Sequence, residues 1–109
     1  MGSYVFSELA VQDINEICEF IAKNDVRAAG QLFDAIRQKC KLVANFPKMG
    51  KDYSWIVPGL KGFIYANYVV FYYPQENGIE IVRIAYGRRN LAALFEDFED
   101  DTLPYVMAF

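Results

Sequence analysis

The sequence predicts an α+β fold: an N-terminal strand, an antiparallel helical hairpin, and a mainly antiparallel sheet with a three-stranded C-terminal meander and a short C-terminal helix. Two observations lead to this prediction. Apolar residues recur every three or four positions over residues 8–45, which is typical of amphipathic helices. Residues 67–89 read instead as two long apolar strands joined by a turn. Helices followed by consecutive strands are typical of a sheet that carries its helices on one face.

The first third of the chain is predicted to form one strand and two helices. Tyr4-Val5-Phe6 indicates a short strand of the same sheet. Ser7 is a suitable N-cap for a helix over residues 8–22, because its hydroxyl can accept from an unpaired backbone N–H. Asn24-Asp25 interrupts the pattern and caps a second helix of about 20 residues, which ends before Pro47. The short turn between the helices predicts an antiparallel hairpin that packs on the sheet.

Each predicted helix has one apolar face. In the first helix this face holds Val11, Ile14, Ile17, Cys18 and Ile21, and in the second it holds Val26, Ala29, Leu32, Phe33, Ile36, Cys40 and Val43. Both cysteines lie on these faces, so free buried thiols are expected rather than a disulfide.

The remaining chain is predicted to form a loop, three strands and a final helix. Residues 48–58 read as a loop, with residues 49–52 as turn material and Trp55 and Ile56 packed back onto the core. A strand over residues 61–65 leads through a tight turn at residues 66–67 into the hairpin.

The hairpin is predicted to lie at the centre of the sheet. Its first strand runs from Tyr68 to Tyr73, where Pro74 ends it because proline cannot donate to a ladder. Asn77-Gly78 is the expected turn, since both residues tolerate positive φ. Neither this strand nor the next, over residues 79–86, alternates cleanly, so both faces of the sheet are expected to be covered. A short amphipathic helix is expected over residues 91–98.

Composition narrows the class of protein. A chain of 109 residues with 54% hydrophobic residues is expected to form a single domain with its own core. It contains no histidine, which excludes Ser-His-Asp and Cys-His catalysis and histidine metal sites. No cofactor or metal is expected. The absence of a long apolar run and of a signal-peptide pattern predicts a cytoplasmic protein.

The charge is unevenly distributed along the chain. Residues 96–101 carry five acidic side chains, whereas the rest of the chain carries 11 basic and 9 acidic ones. The net charge of −3 argues against broad nucleic-acid binding. Residues 96–109 form an acidic C-terminal extension. Its acidic run over residues 96–101 is expected to be a solvated helix face, with shielding of the basic end as the alternative.

Short motifs in the order found here resemble the RelE/ParE superfamily of toxins from bacterial type II toxin–antitoxin modules. The resemblance covers residues 7–95. The motifs are Ala10-x-x-Asp13-Ile14-x-x-Ile17, Phe20-Ile21-Ala22, Ala28-Ala29, Phe46-Pro47-x-x-Gly50, Gly59-Leu60-Lys61, Asn67-Tyr68-Val69-Val70-Phe71-Tyr72, Gly78-Ile79-Glu80-Ile81-x-Arg83 and Gly87-Arg88-Arg89-Asn90-Leu91. Each motif is weak alone, and their order and spacing make the match specific.

Three positions distinguish the two branches of the superfamily. The RelE branch cuts messenger RNA in the ribosome, with an Arg after the third-strand tyrosine, an Arg in a Gly-x-Arg turn and a Tyr in the final helix. The corresponding residues here are Val69, Arg89 and Phe95. Two of the three reactive groups are therefore missing. The resemblance to the ParE branch, whose members poison DNA gyrase without being enzymes, is the better one.

The resemblance implies an antitoxin partner, whose C-terminal segment wraps the toxin in an oligomeric complex. The predicted antitoxin contacts are the basic side chains of the second helix: Arg27, Arg37, Lys39 and Lys41. The predicted contacts with the target are Lys61, Arg83, Arg88 and Arg89, and no catalytic residue is assigned. If the protein were instead a nuclease acting on ribosome-bound messenger RNA, the catalytic candidates would be Lys61, Arg83, Tyr86, Arg88 and Arg89.

Several alternatives remain open at this point. Arg83 lies in an apolar strand, so an ion pair with Glu80 or with an acid of the first helix competes with target contact. For the chain as a whole, the main hypothesis is a gyrase-inhibiting toxin. The alternatives are a ribosome-dependent endoribonuclease and an inactive member of the superfamily that only binds an antitoxin-like partner.

Overall fold

A computed structural model describes residues 2–96, so the predicted acidic segment beyond Glu96 lies outside the described residues. The elements in chain order are β1 (Ser3–Phe6), α1 (Glu8–Ala22), α2 (Val26–Asn45), β2 (Lys51–Asp52), β3 (Lys61–Tyr65), β4 (Tyr68–Gln75), β5 (Gly78–Tyr86) and a 3₁₀ helix (Ala92–Phe95). The strands form one five-stranded sheet in the order β1-β5-β4-β3-β2. β1 is parallel to β5, and the other neighbours are antiparallel. The predicted α+β fold is confirmed.

Local hydrogen bonds explain why the helices begin where they do. The Ser7 hydroxyl accepts from the backbone N–H of Ala10 at 3.1 Å, and the Asp25 carboxylate accepts from that of Ala28 at 3.1 Å. Each side chain thus satisfies one of the donors that a helix N-terminus leaves unpaired. Both predicted caps are confirmed, and α2 ends two residues before Pro47.

The sheet separates two apolar clusters. Along β4, the side chains of Tyr68, Val70 and Tyr72 join the cluster under the helices, whereas those of Val69 and Phe71 join the cluster on the opposite face. This alternation is the normal consequence of the strand repeat of two. The first cluster is covered by α1 and α2, and the second by the segment 53–60 and the 3₁₀ helix. The prediction that both faces of the hairpin are covered is confirmed.

The predicted apolar faces of the helices are correct at their centres and wrong at their flanks. Ile14, Ile36 and Cys40 are buried, as predicted. Both cysteines are free, as predicted, but Cys18 is only partly buried. Val11, Val26 and Phe33 are instead 42%, 75% and 39% exposed. These three lie beside the stripe that faces the sheet, and Ala10 takes a fully buried position in α1.

Two predictions for the segment before β3 are wrong. The expected loop contains the two-residue strand β2, which pairs with β3 and is too short to produce a periodic pattern. Trp55 is 68% exposed instead of packed on the core. Its neighbour Tyr53 takes the core position, with its ring edge-on to that of Phe71 at 5.1 Å. Asp52 then turns the chain by accepting from the Ser54 N–H at 3.0 Å, and Ile56 is partly buried against the second cluster.

The central hairpin differs from its prediction at two positions. β4 continues through Pro74 to Gln75, because β3 pairs only with Tyr68–Tyr72 and leaves Pro74 at an edge, where a missing donor is tolerated. The turn itself is formed by Glu76 and Asn77. Gly78 is the first residue of β5 and has φ of 149°, and a Cβ there would collide with the Ser3 carbonyl oxygen of β1.

The C-terminal helix is shorter over the described residues than the sequence predicts. A 3₁₀ helix spans Ala92–Phe95, and residues 97 and 98 of the predicted helix lie outside the described range. Leu94 and Phe95 are both buried in the second cluster. This turn therefore anchors the described end of the chain on the sheet face that the helices do not cover.

Candidate interaction surfaces

A β-bulge in β5 places Arg83 at the junction of three elements. Phe71 pairs with Arg83 and Tyr72 with Ile81, so Val82 is an extra residue in the ladder. The bulge shifts the alternation by one residue, since Ile81 and Ile84 both join the helix-covered cluster.

Arg83 is held in fixed geometry by partners that include Asp13 and Leu94. Its Nε and Nη2 atoms donate to the two carboxylate oxygens of Asp13 at 2.8 and 3.0 Å, and its Nη1 donates to the Leu94 carbonyl at 3.2 Å. The side chains of Arg83 and Asp13 are only 17% and 12% exposed. The bidentate pair therefore connects α1, β5 and the 3₁₀ helix. The ion pair with an acid of the first helix, one of the two interpretations of Arg83, is the one observed.

α1 also completes the edge of β5 where β1 ends. The Ser7 N–H donates to the Ile81 carbonyl at 2.9 Å, and the Ser7 hydroxyl donates to the Val82 carbonyl at 3.1 Å. The Ile84 N–H donates to the Asp13 carboxylate at 2.9 Å. The N-cap residue Ser7 and the Asp13 side chain of α1 thus replace a neighbouring strand beside the bulge, which satisfies backbone groups that would otherwise be unpaired.

Arg88 and Arg89 lie together in the exposed turn after β5. The Arg89 N–H donates to the Tyr86 carbonyl at 3.0 Å, which closes the turn. Tyr86 is 40% exposed, and its ring packs edge-on against that of Tyr68 at 5.9 Å. The structure thus brings three of the sequence-predicted residues to one end of the sheet.

Lys61 lies apart from that group. It is opposite Tyr72 on β4, whereas Tyr86 is opposite Tyr68, four residues away along the same strand. This register separates the two backbone positions by about 13 Å along β4. The Lys61 ammonium donates to the Gly50 carbonyl at 3.2 Å. The structure therefore does not bring Lys61 and Tyr86 into one compact set.

Both positions that differ from the nuclease branch are buried. Val69 is 4% exposed and Phe95 is 2% exposed, within the cluster on the open side of the sheet. The Phe95 ring packs edge-on against that of Phe71 at 5.3 Å. These side chains are packing residues, and neither presents a polar group to a substrate.

A groove on the sheet face opposite the helices was not predicted from the sequence. This sheet groove has a volume of about 420 Å³, and its lining includes Lys51, Tyr53, Trp55, Ile64, Arg88 and Leu91. Trp55 and Ile64 are 68% and 56% exposed, and the Lys51 ammonium lies 5.4 Å from the centre of the Tyr53 ring. The groove joins an apolar surface to two cations. Its only sequence signal was a tryptophan in a turn-rich loop.

A second groove lies between the two helices. This helix groove has a volume of about 490 Å³, and its lining includes Asn15, Cys18, Glu19, Val26 and Phe33. Val26 and Phe33, which the sequence placed in the core, are among its exposed apolar residues. The misassigned flanks of the helices thus form a surface of their own.

The four basic residues predicted to contact a partner on α2 do not share one face. At 100° per residue, Arg37 and Lys39 point about 160° apart. The Arg37 guanidinium lies 5.8 Å from the Phe33 ring centre, beside the helix groove. Lys39 lies instead beside Met49 and Phe63, on the other flank. Arg27 and Lys41 are exposed on the side of Arg37.

Both thiols and the Tyr68 hydroxyl near these surfaces have raised pKa values, which favours their neutral forms. Burial raises the pKa of the Cys40 thiol to about 12 and raises the pKa of Cys18 as well. Burial also raises the pKa of Tyr68, and Tyr86 and Cys18 raise it further. Within residues 2–96 no group of three or more His, Cys, Asp and Glu side chains is placed to hold a metal. No helix in the same range is long and apolar enough to cross a membrane.

Comparison with known proteins identifies the class and then the family. The sequence profile described as "ParE toxin of type II toxin-antitoxin system, parDE" matches residues 4–91. Toxin ParE3 of Caulobacter vibrioides is 33% identical over 94 residues, which are 85% of this chain and 94% of that toxin. A chain of the chromosomal ParDE toxin–antitoxin system from P. aeruginosa has the same fold, with a TM-score of 0.65, 18% identity, and coverage of 79% of this chain and 96% of that one. The fold and these matches define a toxin of a type II toxin–antitoxin system. The chain belongs to the ParE toxin family.

Proposed function

We propose that this toxin inhibits DNA gyrase in the cytoplasm by binding it, without chemistry of its own, and that a cognate antitoxin neutralises it. The burial of Val69 and Phe95 is the observation that supports this proposal. The nuclease branch has a reactive Arg and a reactive Tyr at these two positions. In this chain the positions hold Val69 and Phe95, and both side chains are packed in the core. Because these two reactive side chains are absent, we expect the toxin to act by docking on its target.

The proposed target contacts are the exposed cations at one end of the sheet. Arg88 and Arg89 are adjacent and exposed, so they can form charge-assisted hydrogen bonds with a partner at little desolvation cost. Lys61 is a separate contact, because it lies toward the other end of β4. Arg83 supports this surface from within, since its guanidinium is already held by Asp13 and Leu94.

The proposed antitoxin contact is the helix groove. Its exposed apolar side chains, Val26 and Phe33, suit an amphipathic segment, and Arg27, Arg37 and Lys41 suit acidic residues beside it. Lys39 would contact the antitoxin only if the segment continues around α2.

A gyrase assay tests the target. Purified toxin is expected to inhibit DNA supercoiling by gyrase and to raise the amount of cleaved DNA that gyrase holds. Arg88→Ala with Arg89→Ala is expected to raise the toxin concentration for half-inhibition about tenfold, because two exposed ionic contacts are lost. Lys23→Ala, an exposed cation at the far end of α1, is the control and should leave inhibition unchanged.

Two outcomes would overturn the gyrase proposal. Cleavage inside codons of ribosome-bound messenger RNA, mapped by primer extension after induction, would establish the endoribonuclease alternative. Full gyrase activity and normal growth in the presence of folded toxin would establish an inactive member of the family.

Thiol labelling tests the antitoxin contact independently. Cys18 lines the helix groove, whereas Cys40 is fully buried with a pKa raised to about 12, so native labelling reports Cys18. Co-purified antitoxin, encoded next to the toxin, is expected to slow this labelling at least tenfold. Unchanged labelling in a stable complex would place the antitoxin elsewhere.

A further inference from the structure

The sheet groove is an exposed apolar surface with an unbalanced charge. Trp55 and Ile64 are large side chains that stay more than half exposed, although one of the two apolar clusters lies directly beneath them. Lys51 and Arg88 flank them, and no acidic side chain is among the described residues that line the groove. Exposed apolar surface rimmed by polar groups marks interaction sites, and the two cations make an anionic partner the complementary one.

The described chain ends on the same side of the sheet. Leu91 lines the sheet groove, and the 3₁₀ helix that follows buries Leu94 and Phe95 in the cluster beneath it. The part of the chain that matches the ParE family stops at residue 91. The residues after Glu96 therefore start close to the groove and are additional to the family match.

The composition of residues 97–109 complements the groove. These residues contain four acidic side chains and no basic one, followed by a group of large apolar side chains: Asp97, Glu99, Asp100 and Asp101, then Leu103, Tyr105, Val106, Met107 and Phe109. The groove offers the opposite charge and an apolar surface. A segment of 13 residues can span up to about 40 Å, so its reach does not limit contact.

We propose that residues 97–109 occupy the sheet groove of the same molecule and cover Trp55. The acidic half pairs with Lys51 and Arg88, and the apolar half packs on Trp55 and Ile64. Because the segment is tethered beside the groove, its effective concentration is about millimolar, so even a weak contact is mostly formed. Any other anionic partner of this surface has to displace the segment first.

The fluorescence of Trp55 tests this proposal without reference to any target. Trp55 is the single tryptophan of the chain, so quenching by acrylamide, which is uncharged, reports access to the groove alone. The full-length chain is compared with a full-length variant carrying Asp97→Asn, Glu99→Gln, Asp100→Asn and Asp101→Asn. Removal of the four negative charges that face Lys51 and Arg88 is expected to weaken docking about tenfold and to raise the quenching constant about twofold.

A matched variant controls for net charge. It neutralises four exposed acids away from the groove, by Glu8→Gln, Glu16→Gln, Glu19→Gln and Glu76→Gln, and is expected to quench like the unmodified chain. A synthetic peptide of residues 97–109 is then added to the tail-neutralised variant. At about millimolar concentration it is expected to restore protection of Trp55. Lys51→Glu with Arg88→Glu is expected to raise quenching as the tail variant does.

Two results would overturn the proposal. Equal quenching constants for the unmodified chain and the tail-neutralised variant would mean that the segment does not cover Trp55. Protection that grows with protein concentration would mean that a second copy of the chain, and not the segment of the same molecule, covers the groove.

Discussion

The two faces of the sheet differ in how they are covered. The face under α1 and α2 carries a cluster in which Ile36 and Tyr72 are fully buried. The opposite face is covered by the segment 53–60 and one 3₁₀ turn, which bury Val69 and Phe71 but leave Trp55 exposed. The two helices bury the central cluster of one face, whereas a loop and a turn shield only part of the other face. The thinner cover is therefore where the molecule presents aromatic and cationic side chains.

The Arg83–Asp13 pair connects the two faces. Asp13 belongs to α1 and Leu94 to the 3₁₀ helix, and the Arg83 guanidinium contacts both. The bulge beside it gives β5 apolar residues on both faces. The helical layer and the opposite cover are thus fixed to each other through one side chain. This contact is a direct way to test how far the two faces depend on one another.

The largest expected effect is a cavity under the helices. Ile36→Ala should lower the free energy of unfolding by about 4 kcal/mol, because rigid helices cannot collapse onto the space that remains. Leu94→Ala, in the turn that covers the other face, should cost about 2 kcal/mol, since a terminal turn can adjust. Urea unfolding of both variants measures the difference. Equal losses would show that the two faces are equally rigid.

Breaking the connection between the faces should have the next largest effect. Asp13→Ala removes the carboxylate that accepts two hydrogen bonds from the nearly buried Arg83 guanidinium and should cost about 3 kcal/mol. The control is Asp34→Ala at the exposed Arg37–Asp34 pair, where the atoms are 3.9 Å apart. That change should cost no more than about 0.5 kcal/mol. If urea unfolding gives Asp13→Ala a similarly small loss, Arg83 is not a structural residue.

A smaller effect is expected from one buried hydroxyl under the helices. The Tyr72 hydroxyl donates to the Pro47 carbonyl at 2.7 Å and accepts from the Gly50 N–H at 3.1 Å. Tyr72→Phe leaves both backbone groups unpaired and should cost about 2 kcal/mol in thermal or urea unfolding. Tyr4→Phe is the control, since the Tyr4 hydroxyl makes no hydrogen bond within residues 2–96. If Tyr72→Phe leaves the free energy of unfolding unchanged, water has replaced the hydroxyl as the partner of both backbone groups.

The smallest effect on stability is expected at Trp55. Its side chain is mostly exposed over the described chain, so Trp55→Ala should change the free energy of unfolding by no more than about 0.5 kcal/mol. A loss of 2 kcal/mol or more in urea unfolding would mean that Trp55 belongs to the core after all. A near-zero change would agree with a residue that serves contact rather than folding.

The accuracy of the sequence prediction depended on how local each feature is. The bounds of α1 and β3 and the caps at Ser7 and Asp25 followed from patterns within a few residues, and all were correct. β2 was missed because two residues carry no period, and only its pairing with β3 defines it. Gly78 was expected to form the turn, and its actual constraint comes from Ser3, which is distant in sequence.

The candidate interaction surfaces were predicted less completely for the same reason. The cations of the turn after β5 could be found from the sequence, since they are adjacent there. The assembly of Trp55, Ile64 and Arg88 into one groove could not, because they belong to three segments that only the sheet brings together.

The sequence by itself determined the order of the elements, the ends of the helices, the family and the free state of both thiols. These features depend on short-range periodicity, capping and composition, which are local properties of the sequence. The tertiary structure alone decided which apolar residues face solvent, which carboxylate holds Arg83, and where the sheet is left partly uncovered. Those outcomes depend on contacts between residues far apart in the chain, and only packing in three dimensions selects among them.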